Sequence, residues 1–159
     1  MVKLSSLAIA GIFYLASSTV PVWAASTVPD ASAPYLTTSR SLPRNTRAPF
    51  AKFQFGINVA GYSVSQISID LPDRISVGSV SVRGADNQVI EASTTVKNGS
   101  AIISFTQQVS PGTALRIQLS SVRTLSMLNR VWLMPVSVKR AETATDTPIG
   151  IARIHTYSN

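Results

Sequence analysis

The chain has 159 residues, no cysteine, 14 basic against 7 acidic side chains and a formal net charge of +7. That length fits one domain with a sizeable core. The missing cysteines exclude disulfides, a thiolate metal site, a thiol nucleophile and a lipid-modified N-terminal cysteine.

Lys3 is followed by a mostly apolar run from Leu4 to Val20, which Pro21 breaks. Val22-Trp23-Ala24 then places small residues at −3 and −1 of a cut before Ala25. This is the layout of a secretory signal peptide over residues 1–24. The apolar run is short of the roughly 20 residues a spanning helix needs, so no transmembrane helix is expected in the mature chain. The predicted location is periplasmic or extracellular. An exported basic protein is expected to meet acidic polysaccharide, lipopolysaccharide or phospholipid head groups rather than nucleic acid.

Residues 25–49 read as a flexible arm rich in Pro, Ser and Thr, with Pro29, Pro34, Pro43 and Pro49 spaced through it. Arg40, Arg44, Arg47 and Lys52 lie in or just beyond it, opposed by Asp30 alone. The charge makes it a candidate tether to an anionic surface polymer.

From Phe50 the period changes to two. Phe53, Phe55, Ile57 and Val59 alternate with Gln54, Gly56, Asn58 and Ala60, which gives a strand one apolar face. Ile67, Ile69 and Leu71 repeat the pattern until Pro72-Asp73 ends it. Val80 and Val82 stand among serines, and Gly84-Ala85-Asp86-Asn87 is a turn. Asn98-Gly99 suits the two positive-φ positions of a type I′ turn, which predicts a hairpin of residues 89–97 and 100–106. Asn98-Gly99-Ser100 is also a glycosylation sequon, but turn geometry by itself accounts for these residues.

Pro111-Gly112 is the next corner, and Leu115, Ile117 and Leu119 form a half-buried strand. Ser120 to Asn129 reads as a loop with a short helix, because Val122, Leu125 and Leu128 are spaced helically. Val131 to Val138 is a strand with Trp132, Met134, Val136 and Val138 on one side. Pro135 lacks an N–H, which places this strand at an edge or a bulge. Ala141 to Pro148 is a polar loop, and Ile149 to Tyr157 is the last strand.

About eight short strands at spacings near ten residues, without long helices, predict an all-β domain over residues 50–159. The expected fold is an antiparallel, immunoglobulin-like β-sandwich, with a closed antiparallel barrel as the alternative. A membrane barrel is disfavoured by the strand lengths.

Three segments carry a resemblance. They are Val109-Ser110-Pro111-Gly112-Thr113-Ala114-Leu115-Arg116-Ile117, Trp132-Leu133-Met134-Pro135-Val136-Ser137 and Ile149-Gly150-Ile151-Ala152-Arg153-Ile154-His155-Thr156-Tyr157. In that order they resemble a family of exported cyanobacterial proteins classed as a domain of unknown function. The resemblance covers about residues 50–157. It implies an exported single-domain protein, and it brings no activity or site residue with it.

The chemical inventory is sparse. His155 is the single histidine and shares a strand face with Arg153 and Tyr157, most simply as a cross-strand ladder. A copper site would need His and Met clusters, and beyond the leader only Met127, Met134 and His155 remain. Asp70 and Asp73 are separated by Leu71-Pro72 and read as strand-end and turn residues. They form neither a calcium loop nor a glycosidase pair. No G-x-S-x-G elbow, phosphate-cradling loop or basic-aromatic stacking platform is present. The sequence therefore nominates no catalytic, cofactor or metal residue. The expected function is a non-catalytic envelope or extracellular protein, binding or structural, whose arm contacts an anionic polymer. The alternatives are a cell-wall polysaccharide enzyme using His155 with a carboxylate, and a subunit of a surface appendage.

Overall fold

The structure, a computed structural model, describes residues 31–45, 50–124, 130–143 and 145–157. The predicted signal peptide and its cut lie outside the described residues, as do positions 25–30 and 46–49 of the arm and Leu125 to Asn129.

Among the described residues ten strands follow one another: β1 (Tyr35–Leu42), β2 (Ala51–Asn58), β3 (Val64–Asp70), β4 (Ile75–Ser76), β5 (Ser79–Gly84), β6 (Ala92–Lys97), β7 (Ser100–Val109), β8 (Ala114–Thr124), β9 (Arg130–Arg140) and β10 (Asp146–Thr156). They make two antiparallel sheets. The first runs β1-β2-β8, with β4 and β5 both pairing with β8; the second runs β10-β9-β3-β7-β6. The sheets face each other because period-two alternation gives each strand one apolar side. Phe53, Phe55, Ile57, Ile117 and Leu119 come from the first sheet. Ile67, Ile69, Ile103, Met134 and Ile154 meet them from the second, all fully buried. Among the described residues, the two polar residues that are buried are both hydrogen-bonded. Ser41 Oγ donates to the Pro43 carbonyl at 2.6 Å, and Thr156 Oγ1 accepts from Trp132 Nε1 at 2.9 Å.

The β6–β7 hairpin turns through Asn98 (φ 51°) and Gly99 (φ 73°), both left-handed as a type I′ turn requires. Its first strand starts at Ala92 rather than at residue 89. Val89 makes one isolated bridge to Arg83 and is 68% exposed.

Four further expectations need correction. Residues 35–42 of the supposed arm form β1, paired along β2 from Tyr35↔Asn58 to Leu42↔Lys52. Its inward positions include Ser39 and Ser41, so no apolar alternation announces it. The approach to β1 is docked as well: Pro34 is buried, and Ser32 packs on Gly61.

Ser120 to Thr124 continue β8 and are neither loop nor helix. Ser121 has φ 53° and the register with β2 shifts there. This bulge changes the phase, so Val122, 1% exposed, points inward out of step with Leu119. β10 begins at Asp146, because Asp146 to Pro148 already pair with Lys139 to Ser137, so the predicted polar loop is shorter. Finally, β9 is an inner strand between β10 and β3. Of the edge and the bulge that Pro135 suggests, the edge is therefore wrong and the bulge is found nearby: the β10 register shifts between Pro148 and Gly150, opposite Ser137 and Val136, and the β3 ladder ends at Ile69↔Val136, one residue before Pro135.

Candidate anion-binding face

The outward side of the first sheet is basic. Arg40 on β1, Lys52 on β2, Arg83 on β5, and Arg116 and Arg123 on β8 are all exposed. No Asp or Glu occurs in β1, β2, β4, β5 or β8. Alternation puts these cations outside for the same reason that it puts Phe53 and Ile117 inside.

Register arranges the face in rows. One row runs Arg40, Gln54, Gln118, Ser81. A hydrogen-bond chain follows it: Arg40 Nε donates to Gln54 Oε1 at 2.9 Å, Gln54 Nε2 to Gln118 Oε1 at 3.0 Å, and Gln118 Nε2 to Ser120 Oγ at 3.0 Å. The next row runs Thr38, Gly56, Arg116, Arg83. Here two arginines stand directly opposite each other, an arrangement that destabilises a sheet. Arg83 Nη1 donates to the Asn87 carbonyl at 3.0 Å, and among the described residues Arg116 has no carboxylate partner. The turn carboxylate Asp86 accepts from the Gln88 amide at 3.4 Å.

Gly56 leaves a dent in this row. A Cβ there would collide with Thr37 Oγ1 and lie 2.6 Å from Thr38 Oγ1. The dent, about 220 Å³, is lined by Thr37, Thr38, Arg40, Gly56 and Arg116 among others. A second cleft of about 180 Å³ opens at the seam between β1 and β10, lined by Ser39, Arg40, Ser41, Arg44, His155 and Tyr157. The seam is tied by Ser39 Oγ donating to the Arg153 carbonyl at 2.7 Å and by the Tyr157 amide donating to the Arg44 carbonyl at 2.8 Å.

The second sheet disposes of several of its charges differently. Lys139 Nζ lies 3.9 Å from Asp146 Oδ1. The Arg140 guanidinium sits 3.9 Å from the centroid of the Tyr62 ring.

Each residue singled out in the sequence has a place. Arg40 and Lys52 stand on the basic face, Arg44 lies in the seam cleft, and Arg47 lies outside the described residues. Arg153 and His155 share the outer face of β10, with His155 opposite Val131, and the exposed Tyr157 follows just beyond the strand. Among the described residues no carboxylate lines the cleft at His155. Asp70 accepts from Ser100 Oγ at 3.0 Å at the end of β3; it is not paired with Asp73. Among the described residues no group of three His, Asp or Glu side chains converges, and no helix is long and apolar enough to cross a membrane.

The sequence did not single out Arg83, Arg116 or Arg123 as part of a site. A usable signal existed: the strand segments that carry them contain cations and no acid.

No protein-family model matches the chain, and neither does any curated protein. Solved structures do match in shape. The major pilin subunit BcpA of Bacillus cereus has a TM-score of 0.53 at 7% identity, covering 77% of this chain and 40% of that one. The fold is an immunoglobulin-like β-sandwich. Two further similar structures are the collagen-binding domain of a Staphylococcus aureus adhesin and a non-cellulosomal cohesin from Archaeoglobus fulgidus. The first has a TM-score of 0.46 at 9% identity, covering 77% of this chain and 97% of that one. The second has a TM-score of 0.48 at 12% identity, covering 78% and 92%. At these identities the likeness is one of fold.

Proposed function

We propose that this sandwich is an exported, non-catalytic binding module of the cell envelope that holds an acidic polysaccharide on its β1-β2-β8-β5 face. The observation that carries the reading is the Arg83–Arg116 juxtaposition on a face whose strands contain no carboxylate. Like charges placed opposite each other cost stability, and a bound polyanion relieves that cost. The half-buried Gln54 and Gln118 add amide groups suited to sugar hydroxyls. An anionic membrane would use the same charge but gain nothing from this amide row. The tether role first given to the arm passes to the sheet, because Arg40 stands on β1 and Lys52 on β2.

Export rests on Lys3, the Leu4–Val20 run and the Val22-Trp23-Ala24 cut, and it agrees with the resemblance to exported cyanobacterial proteins. Edman sequencing of the processed protein is expected to begin at Ala25. On heparin-agarose and on immobilised polygalacturonate, the protein is expected to be retained at low ionic strength. It should elute as sodium chloride rises through a few tenths molar, where the Debye length falls below about 8 Å. Passage through both columns without delay at low salt would contradict the reading.

Assembly into a surface appendage is a second reading, favoured by β6. This strand pairs with β7 alone, and residues 93–97 are exposed on both faces, which leaves an edge that can accept a further strand. Mass measured by light scattering at increasing concentration separates a polymer-forming subunit from a monomer.

A further inference from the structure

Arg40 lines both the Gly56 dent and the seam cleft. We infer that these two clefts are consecutive subsites for one acidic polysaccharide chain, with Arg40 between them and successive anionic sugar units held by Arg116 on one side and by Arg44 with His155 on the other. This rests on the reading of the first sheet as an anion-binding face.

Donor accounting supports it. Arg40 uses Nε on Gln54, so its two Nη groups remain for ligands on either side. In the dent, Arg116 and the Thr37 and Thr38 hydroxyls are the further donors. In the seam cleft the hydroxyls of Ser39 and Ser41 are already given to the carbonyls of Arg153 and Pro43. Anion binding there falls to the guanidiniums of Arg40 and Arg44, the His155 imidazole and the Tyr157 hydroxyl. Guanidinium suits carboxylate and sulfate because its planar fork donates two parallel hydrogen bonds.

Size points the same way. At about 220 and 180 Å³, each cleft is below the roughly 300–1,000 Å³ of small-molecule sites. Each therefore holds an acidic group and part of a ring. Affinity then comes from linking two weak sites through one chain, which raises the effective concentration at the second. Among the described residues no carboxylate lines either cleft to repel the ligand.

Isothermal titration of the purified protein with galacturonic acid, with tetragalacturonate and with a heparin tetrasaccharide tests this. At least one tetrasaccharide is expected to bind ten or more times tighter than galacturonic acid. Which one does so separates a carboxylate from a sulfate preference. Arg44→Gln and His155→Ala, both at exposed positions, are each expected to weaken the tetrasaccharide three- to tenfold and leave thermal midpoints unchanged. If both variants bind the tetrasaccharide like the parent while polymer columns still retain the protein, the paired-cleft inference falls and the basic-face reading stands. If the parent binds no tetrasaccharide and no polymer, both fall.

Discussion

Phe55→Ala is expected to lower the unfolding free energy by about 3–5 kcal/mol, the usual cost of truncating a fully buried phenylalanine. Phe55 is 0% exposed and lies in the middle of β2, opposite Ser39 of β1 and Ile117 of β8. Its ring fills the space between two sheets that no disulfide joins. A single domain has about 5–15 kcal/mol in total, so this one change removes a large fraction and should lower the melting midpoint by roughly 10–20 °C. The neighbouring Gln54→Ala is expected to cost under about 1 kcal/mol, because Gln54 faces outward and loses only side-chain hydrogen bonds. Denaturant titrations of the two variants check the register as well as the core. Equal losses would mean that β2 does not present Phe55 to the interior.

Gly61→Ala is expected to cost about 2–4 kcal/mol, and Gly99→Ala about 1 kcal/mol. The two glycines have nearly the same φ, +72° and +73°, so backbone strain is shared. They differ in surroundings. A Cβ on Gly61 would overlap the Ser32 carbonyl, whereas one on Gly99 meets only the Leu71 carbonyl at 3.5 Å. Backbone cannot step aside as a side-chain end can, so Gly61→Ala must lift the segment before β1 off the domain. Chemical denaturation measures the difference. Identical costs would show that residues 32–34 do not pack on this loop in solution.

Much of the fold is legible in the sequence where burial is one-sided. Phe53 to Val59, Ile67 to Leu71 and Leu115 to Leu119 alternate because one face of each meets the core, and Asn98-Gly99 states its turn directly. What escapes detection does so for physical reasons. β1 buries serines, so its period is silent. A bulge at Ser121 shifts the phase of β8. Pro135 signals an edge or a bulge, and β9, with two neighbours, carries it beside a register shift in β10 and one residue past the end of the β3 ladder.

The candidate site is less legible still. Arg83 and Arg116 stand opposite each other through β5–β8 pairing, and Arg44 and His155 line one cleft at the β1–β10 seam. Both are non-local juxtapositions that no local pattern announces. The sequence marks Arg40, Arg44, Arg47 and Lys52 as a charged group, and the sheet places Arg40 and Lys52 on one face.

A comparison of two charge-matched double variants on polygalacturonate tests the basic face most directly. Arg40→Gln with Arg116→Gln removes two cations from the β1-β2-β8-β5 face, and Lys97→Gln with Lys139→Gln removes two from the opposite sheet. The first pair is expected to lose at least tenfold in affinity, about 1.4 kcal/mol, and the second less than twofold. Equal losses in the two would mean that net charge, and not this face, holds the polymer.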